Sequence, residues 1–162
     1  MDQILSFRPE QPADEAFLLQ LYASTRAAEM QLIPWDNAQK EAFLRSQFAL
    51  QTHHYRKYYA EASFLIVQMD GQDIGRLYVH RSERCLLVID IALMPAYRGA
   101  GIGGQLIRNV LSEAAAAGKS VQIHVERNNP ALRLYQRLRF RVLEDLGVYF
   151  LMEWSPDAGA SA

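Results

Sequence analysis

The chain has 162 residues, 50% hydrophobic and 22% charged, which suits one domain with a real core. Its net charge is −1 with acids and bases interspersed, so no overall basic field points to nucleic acid or to an anionic membrane. Cys85 is the sole cysteine, which excludes an internal disulfide and a cysteine-based metal site. Met1 to Pro9 lack the basic-then-apolar pattern of an export signal, and no apolar run is long enough to cross a bilayer, so a cytoplasmic location is expected. One domain over residues 1–155 is expected, with 156–162, small and polar, as a disordered tail.

Ile4, Leu5 and Phe7 predict a short strand stopped by Pro9. Gln11 to Ala28 reads as a helix, with Pro12 in its first turn and Phe17, Leu18, Leu21, Tyr22 and Thr25 on one face. Met30, Leu32, Ile33 and Trp35 then crowd around Pro34. Asp36 with Gln39 resembles a capping box. It opens a second helix to about Thr52, with Ala42, Phe43, Phe48 and Leu50 as candidate core residues. The basic and aromatic run His53 to Tyr59 could meet nucleic acid. It is brief and isolated, and reads better as a helix end with amphipathic side chains on the surface. Its paired histidines have no carboxylate or cysteine at ligand spacing, so no metal is expected.

Ala62 to Met69 is rich in Phe, Leu, Ile and Val and predicts a strand. Asp70-Gly71 is a hairpin signal, and Gln72 to His80 returns. Cys85 to Leu93 is a third strand of this antiparallel run, stopped before Pro95. A helix from the glycines to Gly118 and a strand Ser120 to Glu126 follow. This strand–helix–strand unit requires a parallel neighbour. Asn129 caps a further helix with Pro130 at its first position and Ala131, Leu134, Tyr135 and Leu138 on one side. Phe140 to Leu143 and Val148 to Trp154 close the chain as strands. There is no repeat, linker or low-complexity segment.

The chemistry concentrates at Arg98-Gly99-Ala100-Gly101-Ile102-Gly103-Gly104, between a strand and a helix. The first turn of that helix offers unpaired N–H groups and the positive end of the dipole. Missing β-carbons let an anion reach those groups, and Arg98 adds a fixed charge. The implied ligand is a phosphate or pyrophosphate. Gly99, Gly101 and Gly104 match the dinucleotide fingerprint, with Glu126 as its later acid. However, Met94 to Arg98 separate strand from glycine, and too little chain follows for the further βα units. Gly118-Lys119-Ser120 imitates the end of a P-loop. It follows a helix, though, and Glu113 replaces the first glycine, so Gly118 reads as a C-cap.

Arg98-x-x-Gly101-x-Gly103 resembles the acetyl-CoA loop of the GNAT superfamily of N-acyltransferases. Val125 to Phe140, with Asn128, Ala131, Leu134-Tyr135 and Phe140, looks like that superfamily's second signature. Two signatures in the right order identify the chain as GNAT-like. The resemblance implies an α/β fold, an α+β mixed sheet with about four helices, splayed after the fourth strand. It implies acetyl-CoA in the opening, as acetyl donor and without a metal. The backbone of Ile91, Ala92 and Leu93 would hold the pantetheine arm. Amides of Gly99, Gly101, Ile102, Gly103 and Gly104 would hold the pyrophosphate beside Arg98. Asn128 would contact the arm, Ala131 would leave it room, and Tyr135 would also touch it and protonate the departing thiolate.

The implied reaction is direct attack of a primary amine on the thioester in a ternary complex, with an N–H near Leu93 polarising the carbonyl. The acceptor would be a small-molecule or protein amine, with Trp35, Tyr78 and Asp90 as candidates to line its site. Trp35 could equally be packing for its turn. No nucleic-acid or membrane partner is implied, and a homodimer is an option. Two departures stand out. Arg139 replaces the glycine usual before Phe140, at a cost of about 1 kcal/mol if that position is left-handed. Leu87 and Ile89 occupy the strand positions where relatives often carry a base, with Asp90 on the other face. His80, Glu83, Asp90, His124 and Glu126 are the ionisable neighbours, and proton loss through water is expected. The same fold without catalysis, as an acyl-CoA-binding regulatory module, is the alternative. A nicotinamide-binding domain is a third reading.

Overall fold

The computed structural model describes residues 3–156. The expected tail, apart from Pro156, lies outside the described residues. Two compact units emerge, Met1–Leu77 with Ile91–Arg98, and Tyr78–Asp90 with Gly99–Ala162. Seven strands hydrogen-bond in the order β1-β2-β3-β4-β5-β7-β6. They are β1 (Leu5–Pro9), β2 (Ser63–Met69), β3 (Gln72–Arg81), β4 (Cys85–Leu93), β5 (Ser120–Glu126), β6 (Arg141–Asp145) and β7 (Tyr149–Trp154). No helix among the described residues is long and apolar enough to cross a membrane.

In the first unit β1 pairs antiparallel with β2, from Leu5 opposite Met69 to Pro9 opposite Leu65. The β2–β3 turn has Asp70 at φ 51° and Gly71 at φ 82°. Both central residues are therefore left-handed, the conformation whose twist matches a hairpin and which Asp-Gly tolerates. The Asp70 carboxylate also accepts from the Ile4 N–H at 2.9 Å. Arg8 on β1 forks between Asp14 and Asp73, both at 2.8 Å. That hydrogen-bonded guanidinium holds the Asp14 carboxyl below its ordinary pKa.

The single helix expected over residues 11–28 is divided. A 3-10 turn (Pro12–Asp14) precedes α1 (Glu15–Thr25), and α2 (Ala27–Gln31) follows a break at Arg26. The cause lies in two hydroxyls. Ser24 Oγ donates to Leu21 O at 2.6 Å and Thr25 Oγ1 to Tyr22 O at 2.7 Å. Such bonds give the carbonyls local partners and help end the helix.

Helix α3 (Asn37–Tyr58) opens with the expected box: Asp36 Oδ1 accepts from Gln39 N at 2.8 Å, and Gln39 Oε1 from Asp36 N at 3.0 Å. It runs past the expected end at Thr52, so the basic aromatic run is helical up to Tyr58. Its inward stripe is Leu44 and Phe48, packed with Leu18, Tyr22 and Ile66. Ala42, Phe43 and Leu50, expected in the core, are exposed. The expected set mixed two adjacent stripes, and only the one meeting α1 is buried.

In the second unit β4 and β5 are parallel over Cys85–Val88 against Ser120–Ile123 and no further. The strands' later residues lack this pairing, which is the splay the sequence anticipated. Helix α4 (Ile102–Ala117) buries Leu106, Ile107, Val110 and Ala114. It stops at Gly118, φ 66°, whose N–H caps Ala114 O and Ala115 O. A short α5 (Leu132–Arg137) follows, so there are five α-helices among the described residues where about four were expected. β7 pairs antiparallel with β5 and with β6, which carries a bulge between Val142 and Glu144. One face of β5 and β7, made by Val121, Ile123, Val125 and Met152, is almost fully buried. Gln122, His124 and Glu126 alternate to the other face.

Candidate functional site

Within the first unit, Ile91, Ala92 and Leu93 end β4. β3 passes close beside them: a β-carbon on Gly75 would stand 2.3 Å from Ala92 O and 2.9 Å from Leu93 Cδ2. Only glycine permits that approach. Met94 N–H then donates to Ile74 O at 2.8 Å. Sequence reading passed over Gly75; an isolated glycine inside an alternating strand was the available signal. Arg98 donates from Nε to Leu93 O at 2.9 Å and from Nη2 to Ser24 Oγ at 3.0 Å. Its charge is thus fixed by the end of β4 and the end of α1. Trp35 is 39% exposed and meets Phe43 edge-on at 5.4 Å.

Within the second unit, Gly99 at φ 76° and Gly101 at φ 85° turn the chain into α4. Gly101 is the N-cap, with no side-chain cap hydrogen bond. The first intrahelical bond runs from Gln105 N–H to Gly101 O at 3.1 Å. The amides of Ile102, Gly103 and Gly104 precede it, so they have no intrahelical acceptor. A β-carbon at Gly99, Gly101 or Gly103 would meet nothing within 4 Å, whereas one at Gly104 would lie 3.5 Å from Arg108 and Leu134. Three glycines therefore keep an outer surface open, and Gly104 packs inward. An anion coming down on this turn would find bare N–H groups and the positive helix end.

After β5 the chain passes Asn128 and Asn129, both exposed. Asn129 is expected to cap this helix with Pro130 at its first position. Instead the N-cap is Ala131 and helix begins at Leu132. Asn129 Oδ1 accepts from Ala131 N–H at 2.8 Å within the turn before it. Tyr135 is 4% exposed. Its phenol pKa is pushed up to about 12, chiefly by burial and further by the negative charge of nearby Asp90. The phenol therefore keeps its proton throughout the neutral range. Tyr78 is also buried, at 4% exposure.

Sequence reading also missed Arg127. Its guanidinium bonds to Gly147 O and the Asp145 carboxylate and lies 4.4 Å from the Phe150 ring. It pins the β6–β7 turn, with exposed Leu146, Val148 and Tyr149, to the end of β5. An arginine just after a strand carried no sequence signal for that contact.

Residues 27–140 match the family profile described as Acetyltransferase (GNAT) family. An N-alpha-acetyltransferase of Sulfurisphaera tokodaii is 25% identical over 112 residues, which are 60% of this chain and 66% of that protein. The fold is similar to PaiA N-acetyltransferase of Thermoplasma acidophilum in complex with coenzyme A, at TM-score 0.69 and 18% identity, over 94% of this chain and 99% of that one. It is also similar to Naa50 of Arabidopsis thaliana in complex with a bisubstrate analogue, CoA-Ac-MVNAL, at TM-score 0.62 and 16% identity, over 93% and 98% of the two chains. At such identities these structures establish likeness of fold.

Proposed function

The chain belongs to the GNAT acetyltransferase family, and on that premise we propose that it transfers an acetyl group from acetyl-CoA to a primary amine by direct attack in a ternary complex. The observation that carries this reading is the uncapped, glycine-lined first turn of α4. Backbone N–H groups of Gly99, Gly101, Ile102, Gly103 and Gly104 bind the pyrophosphate, with Arg98 supplying charge. The backbone of Ile91 to Leu93 orients the pantetheine, Asn128 bonds to it and Ala131 leaves it space. An N–H near Leu93 stabilises the negative oxygen as the amine adds. The carbon–sulfur bond then breaks, Tyr135 gives its proton to the thiolate, and the proton shed by the new amide nitrogen returns through water to the phenolate. An ammonium has no lone pair, so the acceptor loses a proton to water before attack.

Two similar proteins guide the acceptor class. One is named as an N-alpha-acetyltransferase, and the other binds an analogue in which coenzyme A is joined to the peptide MVNAL. A protein or small-molecule amine is therefore the acceptor we propose, with Trp35, Tyr78 and Asp90 lining its approach. Apolar Leu87 and Ile89, at the positions expected to carry a base, favour a second reading as a non-catalytic acyl-CoA sensor.

Acetyl-CoA should raise the melting temperature, since a ligand at a hundred times its Kd adds about 2.7 kcal/mol. Gly103→Val tests the loop cleanly, because that glycine has no positive φ and open space beside it. The variant should fold and lose the acetyl-CoA shift; normal binding would refute the placement. Release of free CoA in the presence of an amine panel separates enzyme from sensor.

A further inference from the structure

Helix α5 is short, only Leu132–Arg137, and gains little stability from its own hydrogen bonds. Its end is closed by a specific turn. Phe140 N–H donates to Tyr135 O at 3.0 Å and Arg139 N–H to Gln136 O at 3.0 Å. Arg139 sits between them at φ 74°. This pair of bonds around a left-handed residue is a helix stop that brings the residue after it back onto the last turn. Here the returning residue is aromatic. The Phe140 and Tyr135 rings meet at 5.6 Å between centroids and 64° between planes. Both residues are 4% exposed. Among the described residues none hydrogen-bonds the Tyr135 hydroxyl, so ring packing, beside the charge of nearby Asp90, orients the phenol.

We infer that Phe140 is a positioning residue for proton delivery, its ring held by the Arg139 turn so that it fixes the plane and swing of the Tyr135 ring. The inference rests on the reading of Tyr135 as the proton donor. A phenolic hydrogen prefers the plane of its ring, through conjugation with the oxygen. The ring plane therefore sets the direction in which the proton is offered. The swing about χ1 sets where the oxygen stands. Phe140 restrains both by an edge-to-face contact, the arrangement aromatic pairs favour. Misplacement by about 1 Å can cost on the order of a hundredfold in rate. A phenol without a hydrogen-bond anchor is open to that loss. The contact also explains what the backbone at Arg139 is for. An extended residue there would carry Phe140 away from the helix. The left-handed turn folds it back onto Tyr135, five residues earlier.

A double-mutant cycle on the full chain tests this, with kcat, acceptor KM and acetyl-CoA affinity measured where every variant is folded. Phe140→Leu stays apolar and removes the flat ring. It should lower kcat by about tenfold, with acetyl-CoA affinity and acceptor KM changed less than about twofold. In the Tyr135→Phe background the same substitution should change kcat less than about twofold, because the hydroxyl it positions is gone. Phe140→Met, which fills more of the space and retains a sulfur–ring contact, should fall between wild type and Phe140→Leu. An equal fall in both backgrounds would show general loss of packing and overturn the inference. So would an unchanged kcat in folded Phe140→Leu. A wild-type kcat in Tyr135→Phe alone would instead remove the proton-donor reading, and the positioning role with it.

Discussion

Arg139 is the residue at which a single substitution should improve this protein. It lies at φ 74°, where a β-carbon crowds the backbone and glycine does not. The left-handed conformation costs an ordinary residue roughly 1–2 kcal/mol. Glycine would give back about 0.4–1 kcal/mol through the greater freedom of the unfolded chain. The side chain forms no ion pair or hydrogen bond among the described residues and is exposed, so its removal costs little else. Arg139→Gly should therefore stabilise the fold by about 0.5–1 kcal/mol, or roughly 1–4 °C for a chain of this length. The assay is thermal melting beside urea unfolding, where the midpoint should rise at constant slope. Arg139→Ala is the control. It removes the charge but keeps the β-carbon, and should stay within about 0.5 kcal/mol of wild type. A gain in the alanine variant equal to that in glycine would assign the effect to charge and refute the backbone argument. A fall in Arg139→Gly would show that the arginine side chain has a use the geometry does not reveal.

Other substitutions follow from the same geometry. Gly75→Ala pushes a methyl to 2.3 Å from a main-chain oxygen, Ala92 O, and should cost about 1–3 kcal/mol or more by urea unfolding; an unchanged midpoint would mean β3 and β4 separate freely. Trp35→Ala should raise the acceptor KM with acetyl-CoA affinity unchanged, whereas lower stability with unchanged kinetics would make Trp35 packing alone. The pH profile of kcat/KM for an unhindered amine should climb toward the amine's own pKa, about 10, with no loss of the Tyr135 proton below that. Tyr135 has a folded pKa of about 12, above its ordinary 10, so the stability it contributes is full below pH 10 and disappears as pH rises through 12. Tyr135→Phe should flatten that part of the stability curve, and an unaltered alkaline limb would refute the burial-driven shift.

Local chemistry alone was enough for much of this molecule. Asp36 and Gln39 cap a helix because their side chains reach each other's backbone three residues apart. Asp70-Gly71 turns a hairpin, and Gly118 stops α4, because left-handed backbone selects those residues. The glycines before α4 announced an open, uncapped helix start for the same reason, and two spaced signatures announced the family. What sequence could not supply was phase, fracture and contact. Which stripe of α3 faced inward depended on where α1 lay, so Leu44 displaced Phe43. The break at Arg26 goes with hydroxyls of Ser24 and Thr25 bonding carbonyls three residues back, a local choice that helical periodicity alone does not display. Gly75 became indispensable only when β4 closed upon it. Phe140 met Tyr135 only because Arg139 accepted a conformation its type resists. Periodicity and capping act over three or four residues and can be read along the chain. Close approach and ring contact depend on which elements the folded chain brings together, and so only the tertiary structure decided them.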